Sequence, residues 1–225
     1  MTTANRPHIP FSFEERRPYL TGRFFYVPDY YDDHASFGRL DWPTLFGNDN
    51  SVSIELCCGN GEWITTMARF HPDRNFIGVD WDFERARKTH KKGGDNLLVV
   101  YGEALTFLTH YVADESIDHL SINFPDPWPK KRHAKHRLVK APLPRELSRI
   151  IAYNGSIQLV TDDTTYLAQM KRELTPFWEW EARRDESDGA SYFARLWKEQ
   201  GKEITTLSAT KTTYRFDVRP TSDLT

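Results

Sequence analysis

Asp126 lies in the stretch of the sequence whose residue types are best suited to chemistry. It is held between Pro125 and Pro127 and stands beside the indole of Trp128. The apolar run Ile117–Ile122 comes just before it, and proline can neither donate to a β-ladder nor continue a helix. The pattern therefore predicts a buried strand that stops abruptly in a stiff loop, with one carboxylate at its end.

A basic run follows this loop directly, with no acid before Glu146. A proline-rich turn alone is usually only a turn, and a basic run alone is usually a solvated face. Their direct succession favours a site that stabilises charge on a nucleic-acid base while cationic side chains contact phosphates. The run comprises Lys130, Lys131, Arg132, His133, Lys135, His136 and Arg137.

The composition is that of a soluble globular protein. Of 225 residues, 39% are hydrophobic and 28% charged, and 30 Lys and Arg stand against 32 Asp and Glu. Affinity for phosphates must therefore come from local clusters of charge. No stretch approaches the roughly 18 apolar residues of a membrane span, and no apolar signal-peptide core is found near the N-terminus, so we expect a cytoplasmic protein without a membrane partner.

The two cysteines, Cys57 and Cys58, are adjacent. Their Cα atoms are about 3.8 Å apart, below the roughly 4.4 to 6.8 Å of disulfides, so no structural disulfide is expected. The eight histidines are scattered. The sequence therefore predicts no metal site, and His133 and His136 are expected to solubilise the loop or contact phosphates.

Strand and helix patterns alternate from Ser51 onward, which predicts an α/β fold with a mostly parallel, seven-stranded sheet and helices on both faces. We expect residues 51–225 to form this domain and residues 1–50 to form a partly flexible N-terminal arm whose aromatic side chains pack on the domain, with stacking on nucleic-acid bases as the alternative. The predicted strands are Val52–Cys57, Phe76–Asp80, Leu97–Tyr101, Ile117–Ile122, Ser156–Thr161, Phe177–Glu181 and Ile204–Val218. The predicted helices are Glu62–Phe70, Trp81–Lys92, Glu103–Ala113, Asp163–Leu174 and Ser191–Gly201. A further helix is predicted to begin at Pro142 and to be terminated by Asn154 and Gly155.

The first strand, turn and helix of this pattern could hold a nucleoside cofactor. Gly59 and Gly61 let a backbone approach a ligand, and Asp80 closes the second strand about 20 residues on, where ribose hydroxyls are bound in such folds. A full G-x-G-x-x-G for a pyrophosphate is absent. S-adenosylmethionine, an adenosine without a pyrophosphate, fits better. Glu103 and Ala104, which close the third strand, are expected near the adenine, although Glu103 alone could be an acid at a helix N-terminus.

The stretch Phe124–His133 resembles the signature of the bacterial tRNA (guanine-N7)-methyltransferase family, and Thr161–Asp163 with Tyr166 resembles its second motif. The proline, tryptophan and basic string is very specific, whereas the glycine turn is shared by many methyltransferases. The resemblance covers the chain from about Val52 onward. It implies a class I methyltransferase fold, S-adenosyl-L-methionine as cofactor, and methylation of a tRNA guanosine in the variable loop, at position 46 in the family.

The resemblance also implies roles for individual residues, carried over by matching position. Asp126 matches the acid at the reaction centre, where it would also contact the cofactor. The other cofactor-binding positions are Glu55, Gly59, Gly61, Asp80, Trp81, Glu103 and Ala104. The positions that bind tRNA or its guanosine are Lys130, Arg132, His133, Lys135, His136, Arg137, Asp162, Ser191, Tyr192, Phe193 and Ala194.

The sequence departs from the family pattern at a few of these positions. Cys57 stands where the family has the first glycine of its turn. Asp80 and Glu103 exchange the usual Glu and Asp. Ser191 replaces a Thr, and Ala194 replaces a Glu.

Guanine N7 carries a lone pair and no proton, so methyl transfer to it needs no general base. We therefore expect Asp126 to position the base and to stabilise the developing positive charge. Two alternatives remain open. One is a non-catalytic RNA-binding protein whose Cys57 turn no longer takes the cofactor, and the other is a methyltransferase for a small molecule or a protein, with an incidental basic loop. The oligomeric state is left as monomer or homodimer.

Overall fold

The structure is a computed structural model that describes residues 17–28, 31–178, 181–183, 195–196 and 199–211, with the backbone alone for residues 181–183 and Lys131. Within these residues the strands are β1 Tyr19–Thr21, β2 Phe24–Val27, β3 Val52–Leu56, β4 Asn75–Asp80, β5 Leu97–Gly102, β6 Ile117–Asn123, β7 Ile151–Thr161, β8 Glu181–Arg183 and β9 Thr205–Thr210. The α-helices are α1 Trp42–Phe46, α2 Glu62–Phe70, α3 Phe83–Lys92, α4 Ala104–Tyr111, α5 Leu143–Ile150 and α6 Thr164–Leu174. Two short 3-10 helices span His34–Ser36 and Lys131–His136.

The strands form one sheet in the order β1-β2-β5-β4-β3-β6-β7-β9-β8. The five neighbouring pairs from β2 to β7 are parallel, and β1, β9 and β8 are antiparallel to their neighbours. The chain builds outward from β3 through β4 to β5, then returns to the other side of β3 with β6. Such a reversal opens a crevice at the carboxyl ends of the strands, where ligands of doubly wound folds bind. The predicted α/β fold class is confirmed.

Helices cover both faces of the sheet because successive strand residues point to opposite sides. On one face, α4, α5 and α6 contribute Phe107, Leu147 and Met170 to the larger core cluster. On the other face, α2 and α3 contribute Ile64 and Ala86 to the smaller cluster. The parallel strands are buried on both sides, which explains why segments such as Leu97–Val100 are apolar without alternation.

The strand count is nine among the described residues, so the prediction of seven strands was wrong in number. The seven predicted strands correspond to β3 to β9, and the two additional strands come from residues expected to form the arm. Phe24–Val27 is a continuous apolar run that pairs in parallel with β5, and its aromatic side chains are buried. The expectation that aromatic residues of this segment pack on the domain is thus confirmed for these residues. The boundary at residue 51 stays a prediction, and residues 1–16 lie outside the described part.

Two predicted element ends were also wrong. The helix from Pro142 ends at Ile150, and Asn154 and Gly155 lie within β7 rather than after the helix. Asn154 takes a left-handed φ of 64°, and the β6–β7 register shifts nearby, so this irregular stretch resembled a turn in the sequence. The strand predicted over Phe177–Glu181 is displaced: Trp178 packs in the core, and the strand begins at Glu181.

The last part of the chain is described only in pieces. The final strand occupies Thr205–Thr210, inside the predicted Ile204–Val218, and the rest of that prediction lies outside the described residues. Most of the predicted helix Ser191–Gly201 lies outside them as well. No helix in the described residues is long and apolar enough to cross a membrane.

Candidate active site

A cavity of about 1600 Å³ opens at the carboxyl ends of β3 to β7, at the crevice created by the reversal of strand order. The loops that follow these strands supply its lining, and most of the residues singled out from the sequence belong to it. These are Glu55, Gly59, Asp80, Trp81, Glu103, Ala104, Asp126, Lys135, His136, Arg137 and Asp162. Parallel strands thus bring together residues separated by more than 100 positions.

The glycine turn after β3 is fixed by the carboxylate that closes β4. Asp80 Oδ2 accepts a hydrogen bond from the Gly59 amide at 2.8 Å, and its Oδ1 accepts one from the Asp82 amide at 2.9 Å. Burial raises the pKa of Asp80, and these two amide donors and the charge of Arg85 oppose the shift. The residue is 3% exposed and lines the cavity. Its carboxylate therefore positions the turn.

Gly61 is the N-cap residue of α2 and does not line the cavity, and its predicted cofactor contact stays a prediction. Its φ is 74°, in the left-handed region that favours glycine. A Cβ there would lie 2.4 Å from the side chain of Thr89 in α3. The Thr89 hydroxyl also donates to the Gly59 carbonyl at 3.1 Å. Gly61 thus allows α3 to pack directly against the cofactor turn.

Cys57 has a φ of 59°, although it is not glycine. Left-handed backbone costs a residue with a Cβ about 1 to 2 kcal/mol, so the family's preference for glycine at this position has a conformational cause. Burial raises the pKa of the Cys57 thiol to about 12, so it stays protonated and makes no thiolate for chemistry. The departure at Cys57 therefore introduces backbone strain and no new nucleophile.

Glu55 is the deepest carboxyl group of the cavity, with 2% of its surface exposed. Its Oε1 accepts a hydrogen bond from Asn123 Nδ2 at 2.9 Å, across the β3–β6 pair. Its Oε2 is buried and accepts no hydrogen bond of normal geometry from the described residues. Burial raises the pKa of Glu55 to about 8; the Asn123 hydrogen bond and the backbone amide of Ile64 oppose the shift, and the nearby charge of Asp80 adds to it. A buried acceptor of this kind needs a donor or a cation.

The other predicted cofactor residues lie along the strand ends beside this turn. Trp81 follows Asp80 and is 71% exposed, an unusual position for an indole. Glu103 stands at the N-cap position of α4, but its carboxylate does not cap the helix; it accepts from the Thr106 hydroxyl at 2.7 Å. Ala104 is buried beneath it.

The proline loop is a rigid support for Asp126. Phe124 and Trp128 on either side of it take left-handed φ values of 48° and 42°. The Phe124 amide donates to the Val160 carbonyl at 2.8 Å, which ties the loop to β7. Asp126 is exposed at the cavity, and its Oδ1 accepts the Trp128 amide at 3.1 Å. The stiffness predicted from the prolines therefore comes with two strained residues that fix the direction of the carboxylate.

The basic run forms the 3-10 helix Lys131–His136 at the edge of the cavity. The Trp128 ring packs against two imidazoles, with centroids 5.8 Å from His133 and 5.3 Å from His136, and the two imidazole centroids are 6.4 Å apart. Lys135 and His136 are exposed and line the cavity, whereas Lys130, Arg132 and His133 lie outside its lining. The predicted substrate-binding residues thus form a surface that continues outward from the cavity edge.

Arg137 differs from its neighbours because it is buried, with 9% of its surface exposed. Its Nε donates to the Pro127 carbonyl at 2.7 Å, and Nη1 donates to the Gln169 side-chain oxygen. Its guanidinium carbon lies 5.0 Å from the centre of the Tyr166 ring. The guanidinium therefore joins the proline loop to α6. This environment argues against the expectation that Arg137 holds RNA with its side chain, since the residue is buried and two of its donors are engaged within the protein.

Asp162 lies where β7 ends, and Lys202 reaches it from the chain before β9. Asp162 Oδ2 accepts from Lys202 Nζ at 2.9 Å, and both residues line the cavity. A second ion pair joins this C-terminal part to the cavity, from Arg195 to Glu62 at 2.8 Å. Ser191, Tyr192, Phe193 and Ala194 lie outside the described residues, so their predicted role remains a prediction.

Several cavity residues were missed by sequence reasoning. Asn123 is the last residue of β6 and precedes the proline loop, so its place at a strand end could have marked it. Arg85 and Lys202 carry no such signal, since exposed basic residues are common in helices and loops. Among the described residues no cluster of three or more His, Cys, Asp and Glu is arranged to hold a metal ion.

Comparison with known proteins adds evidence that is independent of this geometry. Residues 49–213 match a family model described as "Putative methyltransferase". The chain is 40% identical over 205 residues to the tRNA (guanine-N(7)-)-methyltransferase of Chlamydia abortus, covering 87% of this chain and 92% of that protein. It is 30% identical over 183 residues to the protein of the same name from Thermotoga maritima, covering 76% of this chain and 58% of that protein.

Solved structures share the fold at low sequence identity. A variant of the 16S rRNA (adenine(1408)-N(1))-methyltransferase from Catenulisporales acidiphilia, solved with its cosubstrate SAM, aligns with a TM-score of 0.55 and 16% identity, covering 88% of this chain and 98% of that one. The 16S rRNA methyltransferase KamB aligns with a TM-score of 0.53 and 15% identity, covering 76% of this chain and 93% of that one. These similarities support the methyltransferase fold.

Proposed function

The chain belongs to the tRNA (guanine-N(7)-)-methyltransferase family, and on that premise we propose that it transfers a methyl group from S-adenosyl-L-methionine to N7 of a guanosine in the variable loop of tRNA. The observation that carries the proposal is the cavity itself, since it contains buried acidic groups on one side and Asp126 with a basic surface on the other. The expectations of a cytoplasmic location, of metal independence and of a monomer or homodimer stay predictions.

The residues at the glycine turn fit the cofactor. Glu55 Oε2 is a buried acceptor with no hydrogen bond of normal geometry among the described residues, and we assign it to the ammonium group of the methionine part. Asp80 retains lone pairs for the ribose hydroxyls, and Glu103 with Ala104 would border the adenine. S-adenosyl-L-methionine, when bound, supplies an electrophilic methyl group on a sulfonium centre. The protein's contribution is to bind and orient it.

Asp126 would act on the base that receives the methyl group. The N7 lone pair forms the new N–C bond while the methyl–sulfur bond breaks, so positive charge passes to the purine and no proton needs to move. A carboxylate at fixed direction lowers the energy of that charge without reorganising. The left-handed residues on both sides of Asp126 and its bond to the Trp128 amide support this role.

Asp162 is suited to reading the guanine. Guanine presents donors at N1 and at its exocyclic amine, and a carboxylate accepts from both in a base held out of its stack. In the structure this carboxylate is paired with Lys202 at 2.9 Å. We infer that the guanine edge replaces the Lys202 ammonium at Asp162, and that the ammonium then moves to a phosphate.

The exposed side chains of the 3-10 helix would hold the tRNA backbone. Lys130 and Arg132 are exposed outside the cavity lining, and Lys135 and His136 are exposed at the cavity edge. Contacts of this kind position the substrate and make its binding depend on salt. Arg137 would support the loop from within.

The alternative of a non-catalytic RNA-binding protein rested on Cys57. The comparisons favour the enzyme, because close relatives carry the methyltransferase name over most of the chain. The strain at Cys57 is local, and the Asp80 contacts that hold the turn are intact.

Incubation with unmodified tRNA and methyl-labelled S-adenosyl-L-methionine tests the proposal, with chemical cleavage at 7-methylguanosine to locate the label. We expect label at one guanosine of the variable loop. Label elsewhere in tRNA would refute the assigned position. Cofactor binding without any label would refute tRNA as the substrate, and absence of both would revive the RNA-binding alternative.

A further inference from the structure

A second basic surface, on α3, lies outside the set of residues assigned to substrate. Phe83–Lys92 contains five Lys and Arg against one Glu, in a chain whose net charge is −2. Glu84 is paired with Arg87 at 2.6 Å. Among the described residues no carboxylate lies within 4.0 Å of the charged groups of Arg85, Lys88 or Lys91, and all three side chains are exposed. The surface therefore keeps a concentrated positive charge.

The position of this helix is fixed relative to the cavity. Thr89 packs on Gly61 and donates to the Gly59 carbonyl at 3.1 Å, and Lys92 Nζ donates to the Asn60 carbonyl at 2.8 Å. Arg85 itself lines the cavity. The exposed indole of Trp81 lies at the start of the same segment. The basic face of α3 therefore lies beside the cofactor turn, and the 3-10 helix with Lys135 and His136 lies along another part of the same cavity edge.

The helix dipole explains only part of this charge. Cations in the last turn, such as Lys91 and Lys92, stabilise the partial negative charge of a helix C-terminus. Arg85 lies in the first turn, where the partial charge is positive and a cation is unfavourable. A helix that only needed solubility would gain from alternating signs on its surface. The excess of cations from the first turn to the last needs a different explanation.

We propose that the exposed face of α3, formed by Arg85, Lys88 and Lys91, contacts the phosphates of the tRNA next to the methylated guanosine. This inference rests on the proposed function and adds a second contact surface to it. Arg85 and Lys91 lie about 9 Å apart along the helix axis, comparable with two to three nucleotides of a stacked strand at roughly 3.4 Å each. RNA held at both basic surfaces crosses the cavity where Asp126 is exposed. No base-specific contact is implied, since lysines bind phosphates as point charges.

The test is the double charge reversal Lys88→Glu with Lys91→Glu, measured by tRNA binding across a series of salt concentrations. Neither residue lines the cavity or makes a hydrogen bond that the fold needs. We expect the tRNA dissociation constant to rise at least tenfold and the slope of its logarithm against log salt to fall by about 2, one for each lost phosphate contact. Affinity for S-adenosyl-L-methionine should stay within twofold, which shows that α3 is still folded against the turn.

A matched control reverses two cations away from the cavity, Arg74→Glu with Lys171→Glu. Arg74 precedes β4, at the end of the strand opposite the cavity, and Lys171 lies in the last turn of α6; both are exposed. Wild-type tRNA affinity in the α3 variant, or an equal loss in both double variants, would overturn the proposal. Failure of wild-type protein to methylate tRNA would instead contradict the proposed function, so the two failures are distinguishable.

Discussion

The part of the cavity that we propose for the cofactor and the part that we propose for RNA hold their charged groups by different means; they are called the cofactor side and the RNA side below. On the cofactor side, Glu55 and Asp80 are almost fully buried and are fixed by an amide side chain and by backbone amides. On the RNA side, Lys135 and His136 stand exposed on a short helix that is followed by the buried Arg137. The first arrangement suits a small ligand of fixed shape, and the second suits a long polyanion.

Asp126 lies between the two sides and shares features of both. It is exposed like the RNA contacts, yet its backbone is as constrained as the cofactor turn. The comparison predicts that substitutions on one side change cofactor affinity, substitutions on the other change tRNA affinity and its salt dependence, and substitution of Asp126 changes turnover.

The largest effect is expected for Asp126→Asn. The amide keeps the shape and loses the charge, so the single-turnover methylation rate should fall by about 100-fold to 1,000-fold while tRNA and cofactor affinities change little. Asp163→Asn is the matched control, because Asp163 also borders the cavity but caps α6 at 2.7 Å, a task asparagine performs equally well. Equal losses of rate and tRNA affinity in Asp126→Asn would refute the assigned role.

The next effect concerns Glu55→Gln and pH. With a pKa of about 8, Glu55 is largely neutral at pH 6.5 and ionised at pH 9, and only the ionised form attracts the ammonium group. Wild-type cofactor affinity should therefore rise by tenfold or more relative to the variant between these pH values, as calorimetry can measure. The affinity of the variant, which lacks a titrating carboxyl group at this position, measures the titration of the ligand's own amine separately. A pH-independent ratio would contradict a contact between Glu55 and the ammonium group.

The ionisation of Glu55 should affect protein stability in the opposite direction: the free energy of unfolding should fall as pH rises. The pKa of Glu55 is raised from 4.5 in the unfolded chain to about 8 in the folded protein, so the folded state binds more protons between these values. The stabilising contribution is present below pH 4.5 and is lost as pH rises through about 8. The Glu55→Gln variant lacks this loss, so urea unfolding should show it gaining stability relative to wild type from pH 6 to pH 9.

A smaller effect separates Arg137 from its exposed neighbour. In Arg137→Lys, one ammonium group cannot donate to both the Pro127 carbonyl and the Gln169 side chain, as the guanidinium does. We therefore expect turnover to fall about tenfold and the salt dependence of tRNA binding to stay unchanged. Lys135→Ala should show the reverse, with a salt slope lower by about 1 and near-normal turnover at saturating tRNA. If Arg137→Lys lowers the salt slope and spares turnover, Arg137 contacts RNA directly and the structural assignment is wrong.

Sequence reasoning found the parts of the site that the backbone determines. Residues at strand ends, such as Asp80 and Asp126, are forced to one edge by parallel pairing, so the alternating pattern was sufficient to bring them together. The alternating pattern did not show which individual side chains would be buried. Arg137 and Lys135 are both cations in one basic run, and only the packing of Tyr166 and Gln169 distinguishes them. The strand Phe24–Val27 was missed because its partner β5 lies more than 70 residues away.

The smallest effect is expected at Cys57, where the sequence departs from the family's glycine. Cys57→Gly removes the cost of a left-handed Cβ, about 1 kcal/mol, but adds backbone freedom to the unfolded chain worth about 0.5 to 1 kcal/mol. The two terms nearly cancel. Urea unfolding should therefore give a change within about 1 kcal/mol, and cofactor affinity should change less than threefold because Asp80 still holds the Gly59 amide.

Gly61→Ala provides the contrast at the same turn. It adds the same left-handed cost and a Cβ 2.4 Å from Thr89, which α3 can relieve only by moving. We expect a loss of stability of about 2 kcal/mol or more and weaker cofactor binding. If Cys57→Gly were as harmful as Gly61→Ala, the thiol itself would be needed for packing. A small effect at Cys57 beside a large one at Gly61 would show that the cofactor side depends on close helix packing more than on glycine at every position of the turn.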